Sequence, residues 1–151
     1  MASTLINKPG NPAKEYLRRY IACQIRAESI ARVIRKSMED ATDIAVHLKP
    51  DVTQGGGAYD RVAEDVCAAV DAEETLRNAL RDAERVLAEV MEAISAVPDE
   101  MQKTVLVLRY VEGLEWMEIA ERIHYEISNT YILHGRALWA VNKWMEAERC
   151  K

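Results

Sequence analysis

The stretch VPDEMQKTVLVLRYVEGLEWMEIAERI, residues 97–123, contains two helix patterns divided by a glycine. Pro98 is typical of a helix start, because the first helical turn does not use the amide hydrogen that proline lacks. Gly113 is typical of a helix stop, because glycine adopts the left-handed backbone that closes a helix. The spacing therefore predicts one helix over residues 98–112 and a shorter one over residues 115–123.

A third helix is predicted after a three-residue turn, over residues 127–144. Ala120 supplies a small side chain in the short helix, where the next helix would cross it. Two helices joined by such a turn are typical of a helix-turn-helix. We therefore expect residues 98–151 to form a three-helix helix-turn-helix domain.

Upstream, residues 12–97 carry two apolar seams separated by a glycine-rich connector at residues 49–57. Both seams alternate spacings of three and four residues, the pattern of a coiled coil. Asn11 and Pro12 are a favourable cap and first residue, so residues 1–11 are expected to be a flexible tail. The first seam comprises Tyr16, Tyr20, Cys23, Ala27, Ile30, Ile34, Ser37, Ala41, Ile44 and Leu48. The second comprises Tyr59, Val62, Val66, Ala69, Glu73, Leu76, Leu80, Ala83, Leu87, Val90, Ile94 and Val97.

The seams are expected to pair as a long antiparallel helical hairpin, because the connector is too short to run back along a helix of about 50 Å. Charge favours this pairing, since residues 1–57 hold nine basic and six acidic side chains whereas residues 58–97 hold four and ten. Glu73 would lie within reach of Arg35. Three more ion pairs are expected across the hairpin: Arg19 with Glu89, Arg26 with Asp82, and Arg32 with Glu74.

Further apolar residues flank both seams and need to be covered. Either the C-terminal segment folds back over them or two chains associate, and the length of the hairpin favours a homodimer. The flanking residues are Leu17, Ile21, Ala31, Met38 and Ala45 on the first helix, and Val70, Val86 and Met91 on the second.

Composition and spacing argue against several classes of function. The net charge of −5 weighs against a free-standing nucleic-acid binder. With no signal peptide, no apolar run long enough for a membrane span and three scattered cysteines, a cytoplasmic protein with reduced thiols and no membrane partner is expected. The histidines lack metal-ligand spacing and the glycine triplet lacks the lysine of a phosphate loop. Neither an enzyme, nor a metal site, nor a cofactor is expected.

The stretch at residues 97–123 resembles region 4 of bacterial sigma factors, in which a proline opening, a helix ending in LRY and a second helix with the pattern GL…EIA recur. The following YEISNTYILHGRALWAV, residues 125–141, resembles a group of small phage and prophage proteins with a sigma-region-4-like C-terminus. Those relatives are taken to be transcriptional regulators akin to late-gene activators. The resemblance is specific over residues 97–141 and architectural over residues 12–96.

This resemblance implies a core and a DNA-facing surface. Trp116 stands where the family has an aromatic residue, and His134 is expected at the flank of the DNA-facing surface. The implied core comprises Leu106, Leu108, Tyr110, Leu114, Ile119, Ala120, Ile123, Leu133 and Leu138. The residues implied to contact DNA are Ser128, Asn129, Tyr131, Ile132, Gly135, Arg136 and Lys143.

The chain also departs from the family. His124 replaces the glycine of the turn, Glu126 replaces the serine or threonine that caps the recognition helix, and Ile132 replaces a basic residue. Because Arg136 and Lys143 are the remaining cations of that helix, binding to double-stranded DNA is expected to be weak for the domain alone. On the helix, Gly135 shares a stripe with Ser128, Ile132 and Trp139, and would let the backbone of DNA or a second helix approach.

The sequence therefore predicts an all-α phage-type transcriptional regulator that binds promoter DNA, RNA polymerase or both through a sigma-region-4-like helix-turn-helix and dimerises through its hairpin. One alternative is a small terminase-like protein of phage DNA packaging. Another is a structural or adaptor protein that keeps the helix-turn-helix core without binding DNA.

Overall fold

The computed structural model describes residues 10–47 and 57–151, without the side chains of residues 44–47, 57–63 and 65. This part of the chain is all α-helical and contains no strand, which confirms the predicted class. The five helices are α1 (Pro12–His47), α2 (Gly57–Ser95), α3 (Glu100–Tyr110), α4 (Trp116–Ile123) and α5 (Ile127–Arg149). Most of the tail and of the connector, and the outer seam residues Ile44, Leu48, Tyr59 and Val62, lie outside the described residues or side chains.

The helix ends follow their caps. Asn11 caps α1 as predicted, its Oδ1 accepting hydrogen bonds from the amides of Ala13 and Lys14 at 3.0 and 3.4 Å. Helix α3 begins two residues later than predicted, because Asp99 is its cap and accepts a 2.8 Å bond from the Gln102 amide. Helix α5 continues past the predicted end at Trp144 as far as Arg149, since its last residues include no helix stop.

Contacts divide the chain into two compact units. Among the described residues, the first unit consists of residues 10–22 and 84–151, and the second of residues 23–47 and 57–83. The division cuts α1 and α2 rather than falling at residues 97 and 98, where the sequence suggested a domain boundary. The first turns of α1 and the last turns of α2 therefore belong with α3, α4 and α5.

The core of the first unit includes most of the expected residues. Val105, Leu108 and Ile119 form a buried cluster, against which Leu114, Trp116, Ile123 and Leu133 pack while remaining half-buried. Of the implied core, six residues are confirmed as buried: Leu106, Leu108, Tyr110, Ile119, Ala120 and Leu138. The long helices add four others that are fully enclosed, Ala13, Leu17, Val90 and Ala93, and Val97 is enclosed just after the end of α2.

Asn142 of α5 joins the start of α1. Its Oδ1 accepts a 3.0 Å hydrogen bond from the Ala13 amide, and its Nδ2 donates a 3.1 Å bond to Asn11 Oδ1. A few residues further along each helix, the rings of Tyr16 and Trp144 meet edge to face, with their centroids 6.2 Å apart. At the start of α1, the C-terminal segment therefore packs over the flanking apolar residues. This is one of the two arrangements expected from the sequence, the other being association of two chains.

The predicted ion pair between Arg19 and Glu89 is confirmed, with Nη2 and Oε2 2.6 Å apart. Arg85 contacts the other carboxylate oxygen of Glu89 at 2.8 Å, and the hydrogen bond from Arg19 holds the pKa of Glu89 below its usual value. The expected contact between Glu73 and Arg35 is wrong. Glu73 is exposed and pairs with Arg77 at 3.0 Å, one turn away on its own helix. The other two pairs expected across the hairpin stay predictions.

The buried residues of α2 coincide only partly with the predicted seam. At alternate turns, the residue just before the seam position is the buried one. Leu80 is 50% exposed, whereas Ala79, Val86 and Ala93 are buried. Neighbouring apolar residues made either register possible. The smaller residue is the more buried at Ala79 and at Val86, whereas Ala93 and Ile94 are both enclosed. In the second unit Ala27, Ala79 and Ala83 are buried, and six large apolar side chains remain exposed: Ile25, Val33, Met38, Val66, Val70 and Leu80.

None of the described helices has the length and apolarity needed to cross a membrane.

Candidate nucleic-acid interface

Three residues connect α4 to α5. His124 ends α4 in the left-handed conformation, with φ 57° and ψ 41°. Its amide donates to the Glu121 carbonyl at 3.2 Å, and the Tyr125 amide donates to the Ala120 carbonyl at 3.0 Å. This backbone conformation costs a residue with a side chain about 1 kcal/mol or more in free energy relative to glycine. The turn thus keeps the geometry that glycine would favour.

Replacing His124 with glycine is expected to raise the free energy of unfolding by up to about 1 kcal/mol, because it relieves the left-handed backbone at an exposed position. Denaturant unfolding monitored by circular dichroism measures the change. The matched control is Glu121→Gly, one turn earlier inside α4, which should lower stability by about the same amount. A loss of stability in both variants would contradict the strain at residue 124.

The start of α5 has the poor cap that the sequence suggested. The backbone of Glu126 has the extended cap conformation, but its carboxylate makes no capping hydrogen bond. Thr130, fully buried one turn later, donates from its hydroxyl to the Glu126 carbonyl at 3.1 Å. Helix α5 is therefore held at this end by its buried face rather than by its cap.

An aromatic cluster fixes how α5 sits on α3 and α4; it comprises Tyr110, Trp116, Tyr131 and His134. The Tyr110 hydroxyl and His134 Nε2 are 2.9 Å apart. The Trp116 ring lies 4.7 Å from the His134 ring and 4.9 Å from the Tyr131 ring. Tyr131 remains 41% exposed, so the cluster runs from the core to the surface.

The expectation that His134 flanks the DNA-facing surface is wrong. Its side chain is 1% exposed, because it lies on the face of α5 that carries the buried residues Thr130, Ala137, Leu138 and Val141. Burial lowers the pKa of His134 to about 4 and raises the pKa of Tyr110 to about 12. The imidazole is therefore neutral near pH 7, and it serves the core rather than a ligand.

Arg109 connects the end of α3 to the start of α4, a role that the sequence did not reveal. Its Nη1 donates to the Leu114 carbonyl at 2.7 Å and lies 3.4 Å from a carboxylate oxygen of Glu115. The guanidinium also stacks over the Trp116 ring at 4.8 Å. Arg109 is thus engaged within the fold and does not extend toward a partner.

Most of the residues implied to contact DNA lie on the face of α5 opposite its buried residues, and Tyr131 lies at the edge between the two faces, against Trp116. Gly135 is half-buried. The other six are exposed: Ser128, Asn129, Tyr131, Ile132, Arg136 and Lys143. Successive residues of an α-helix are about 100° apart, so Ile132 and His134, two residues apart, point to opposite sides. The fold therefore presents one face of α5 and buries the other.

No family model, curated protein or solved structure matches the chain.

This face carries no carboxylate over most of its length. Between Glu126 and Glu146, α5 has no acidic residue and two cations, Arg136 and Lys143, in a protein whose net charge is −5. Neither cation takes part in the ion pairs of the described residues, whereas Arg122 on α4 is paired with Glu112 at 2.6 Å. The Lys143 ammonium lies 4.0 Å above the Trp139 ring. An anionic partner would meet positive charge here.

A groove of about 670 Å³ borders the turn before α5 and has a different character. Its lining is mainly apolar but includes two carboxylates. Acidic groups beside α5 repel phosphate, so an anionic partner would be restricted to α5 itself. The lining residues are Met117, Ala120, Glu121, His124, Tyr125, Glu126 and Ile127.

Among the residues described, no three His, Cys, Asp or Glu side chains come together as a possible metal site. The free cysteines Cys23, Cys67 and Cys150 lie in separate parts of the sequence. Among the described residues, no cluster of metal-binding side chains competes with the exposed face of α5. That face is therefore the strongest candidate for a functional surface.

Proposed function

We propose that the protein is a phage-type transcriptional regulator whose α3, α4 and α5 form a sigma-region-4-like helix-turn-helix. In this proposal α5 is the recognition helix, and its exposed face enters the major groove of promoter DNA. The observation that carries the proposal is the charge of that face. Between Glu126 and Glu146 it has no carboxylate although the protein is acidic, and neither Arg136 nor Lys143 takes part in an ion pair among the described residues. Phosphate contacts of this kind supply much of the affinity of DNA-binding proteins.

The long helices would serve assembly. We infer that α1 and α2 pair as an antiparallel hairpin and that the six exposed apolar residues of the second unit contact a second copy of the chain. A homodimer would present two recognition helices to two half-sites, as dimeric helix-turn-helix proteins do. Doubling the contacts also offsets the low charge of a single face, because linked sites bind more tightly than either site alone.

Arg136→Ala is expected to weaken binding about tenfold on every DNA sequence tested, because it removes one charged contact to phosphate from a face that has few. The slope of log affinity against log salt should fall by about 1 per site. Fluorescence anisotropy with a labelled duplex, starting at 50 mM salt, measures both quantities.

Arg149→Ala is the control for that measurement. Arg149 is also an exposed arginine of α5, but it lies in the last turn of the helix, more than three turns beyond Arg136. Binding that is equally sensitive to both variants would show non-specific charge attraction. Binding that ignores the Arg136 substitution would remove α5 as the phosphate-contacting helix.

Exposed apolar residues on the same face support the adaptor alternative. Ile132 is 50% exposed and Trp139 is 55% exposed, and both would suit a protein partner such as RNA polymerase. Failure of the full chain to retain DNA at low salt, together with co-purification of polymerase, would favour that role. Light scattering tests the packaging alternative, since small terminase subunits form rings of about eight or more subunits whereas the regulator should be a dimer.

A further inference from the structure

We propose that Ile132 reads the 5-methyl group of a pyrimidine in the major groove, and that the protein therefore requires thymine, or 5-methylcytosine, at one position of its site. The inference rests on the proposed function, because it assigns base specificity to the recognition helix. It concerns the position at which this chain replaces the basic residue of its sigma-like relatives with an apolar one.

The geometry of α5 directs Ile132 outward. Ile132 lies one turn after Ser128, on the side of the helix opposite the fully buried residues Thr130 and Ala137. Half of its surface is exposed, so the side chain is accessible to a partner, and covering it would contribute hydrophobic stabilisation. The residue is also in the N-terminal half of α5, the half that recognition helices direct at base edges.

The chemistry of the groove restricts what Ile132 can contact. Its side chain has no hydrogen-bonding atom, so it cannot pair with the donors and acceptors of the base edges. The 5-methyl group of thymine is the apolar feature of the major groove of unmodified DNA, and methylated cytosine presents the same group at the same carbon. Because isoleucine is branched at Cβ and has a strongly preferred rotamer in a helix, it would meet that methyl group with little loss of side-chain freedom.

Two neighbours make the contact feasible. Gly135, one turn further along the same stripe, has no side chain to hold the helix away from the base pairs. A helix is about 10–12 Å across and the major groove is about 12 Å wide, so a large side chain at residue 135 would oppose deep entry. Asn129 is exposed on the adjacent strip of the helix and has the amide that pairs with N6 and N7 of adenine. Together they favour an A·T-containing site.

The experiment compares thymine with deoxyuridine, which keeps the base pairing and lacks the methyl group. The full chain first selects a duplex from a random-sequence pool, and each thymine of that duplex is then replaced in turn. At one position per half-site the affinity should fall about fourfold, the effect of one buried methyl group. At the same position, a duplex with 5-methylcytosine should be bound about fourfold more tightly than a duplex with cytosine. This second comparison tests the methyl group of 5-methylcytosine separately from that of thymine.

Ile132→Ala connects the effect to the residue. This variant should bind thymine and deoxyuridine duplexes equally at that position, while Trp139→Ala, on the same stripe but nearly two turns further along, should keep the fourfold difference. Alanine at an exposed helical position favours folding, and circular dichroism checks that the fold is intact. If the wild-type chain binds the duplex but no thymine substitution changes its affinity, the inference is wrong and the regulator stands. If the chain selects no duplex at all, both fail.

Discussion

Leu17→Ala is expected to lower the free energy of unfolding by about 3 kcal/mol, within the range seen when a buried leucine is truncated. Leu17 is fully enclosed although it lies near the start of the chain, in the same compact unit as α3, α4 and α5. The deletion leaves a cavity that the neighbouring helices can only partly fill. Denaturant unfolding, followed by the fluorescence of the tryptophans, measures the loss.

Ile25→Ala is the matched control, since it removes as many carbon atoms from the same helix at a position that is 58% exposed. Its effect should stay within about 0.5 kcal/mol at protein concentrations too low for association. Small effects of both substitutions would mean that the first turns of α1 do not pack into the core of the C-terminal helices.

Acid is expected to remove about 3 kcal/mol of stability through His134 as the pH falls from 6.5 to 4. Burial lowers the pKa of this histidine from 6.5 to about 4 in the folded protein. Between these values the unfolded chain binds a proton that the folded chain does not, so stability is fully present above pH 6.5 and declines toward pH 4. A difference of two to three pKa units corresponds to roughly 3 kcal/mol.

His134→Gln tests this assignment, because glutamine can still hydrogen-bond to the Tyr110 hydroxyl but does not titrate. The variant should be less stable than the wild type at pH 7 and should depend less steeply on pH between 6.5 and 4. His124→Gln, which replaces an exposed histidine, should keep the wild-type slope. An unchanged slope in the His134 variant would show that other groups account for the loss in acid.

Local signals in the sequence were sufficient to predict the helices. Asn11 and Pro12 mark the start of α1, and Gly113 lies in the turn three residues after the end of α3 at Tyr110, although the helix was predicted to reach residue 112. These roles depend only on backbone groups within a few residues. The order of helices followed from periodicity, which reports the spacing of apolar side chains along one element. Periodicity did not resolve the register of α2, because Ala79 and Leu80 are adjacent and both apolar. Burial then depended on how closely another helix could approach.

Long-range packing was not predictable in the same way. Nothing in the sequence around Asn142 distinguishes it from a solvent-exposed asparagine, yet its amide group contacts both Asn11 and Ala13. Arg109 likewise resembles any surface arginine until α4 folds back beside it. Such roles are defined by partners that are distant in sequence, so they emerge only with the coordinates.

For the exposed face of α5, the helix geometry was a more reliable guide than the family resemblance. The resemblance named seven residues, and the fold leaves six of them exposed and Gly135 half-buried. It also suggested a surface role for His134. Helical periodicity could have corrected this suggestion, because His134 is one turn from Thr130 and from Leu138, which are both fully buried. What the face binds depends on its side-chain chemistry, which departs from the family at Ile132.

The bond between Ala13 and Asn142 spans 129 residues, and this separation has a consequence for how the protein is made. During synthesis on the ribosome the first turns of α1 emerge well before their partner in α5. The unit that contains both segments can therefore close only after α5 has left the exit tunnel. Until then Leu17 and its apolar neighbours stay open to chaperones.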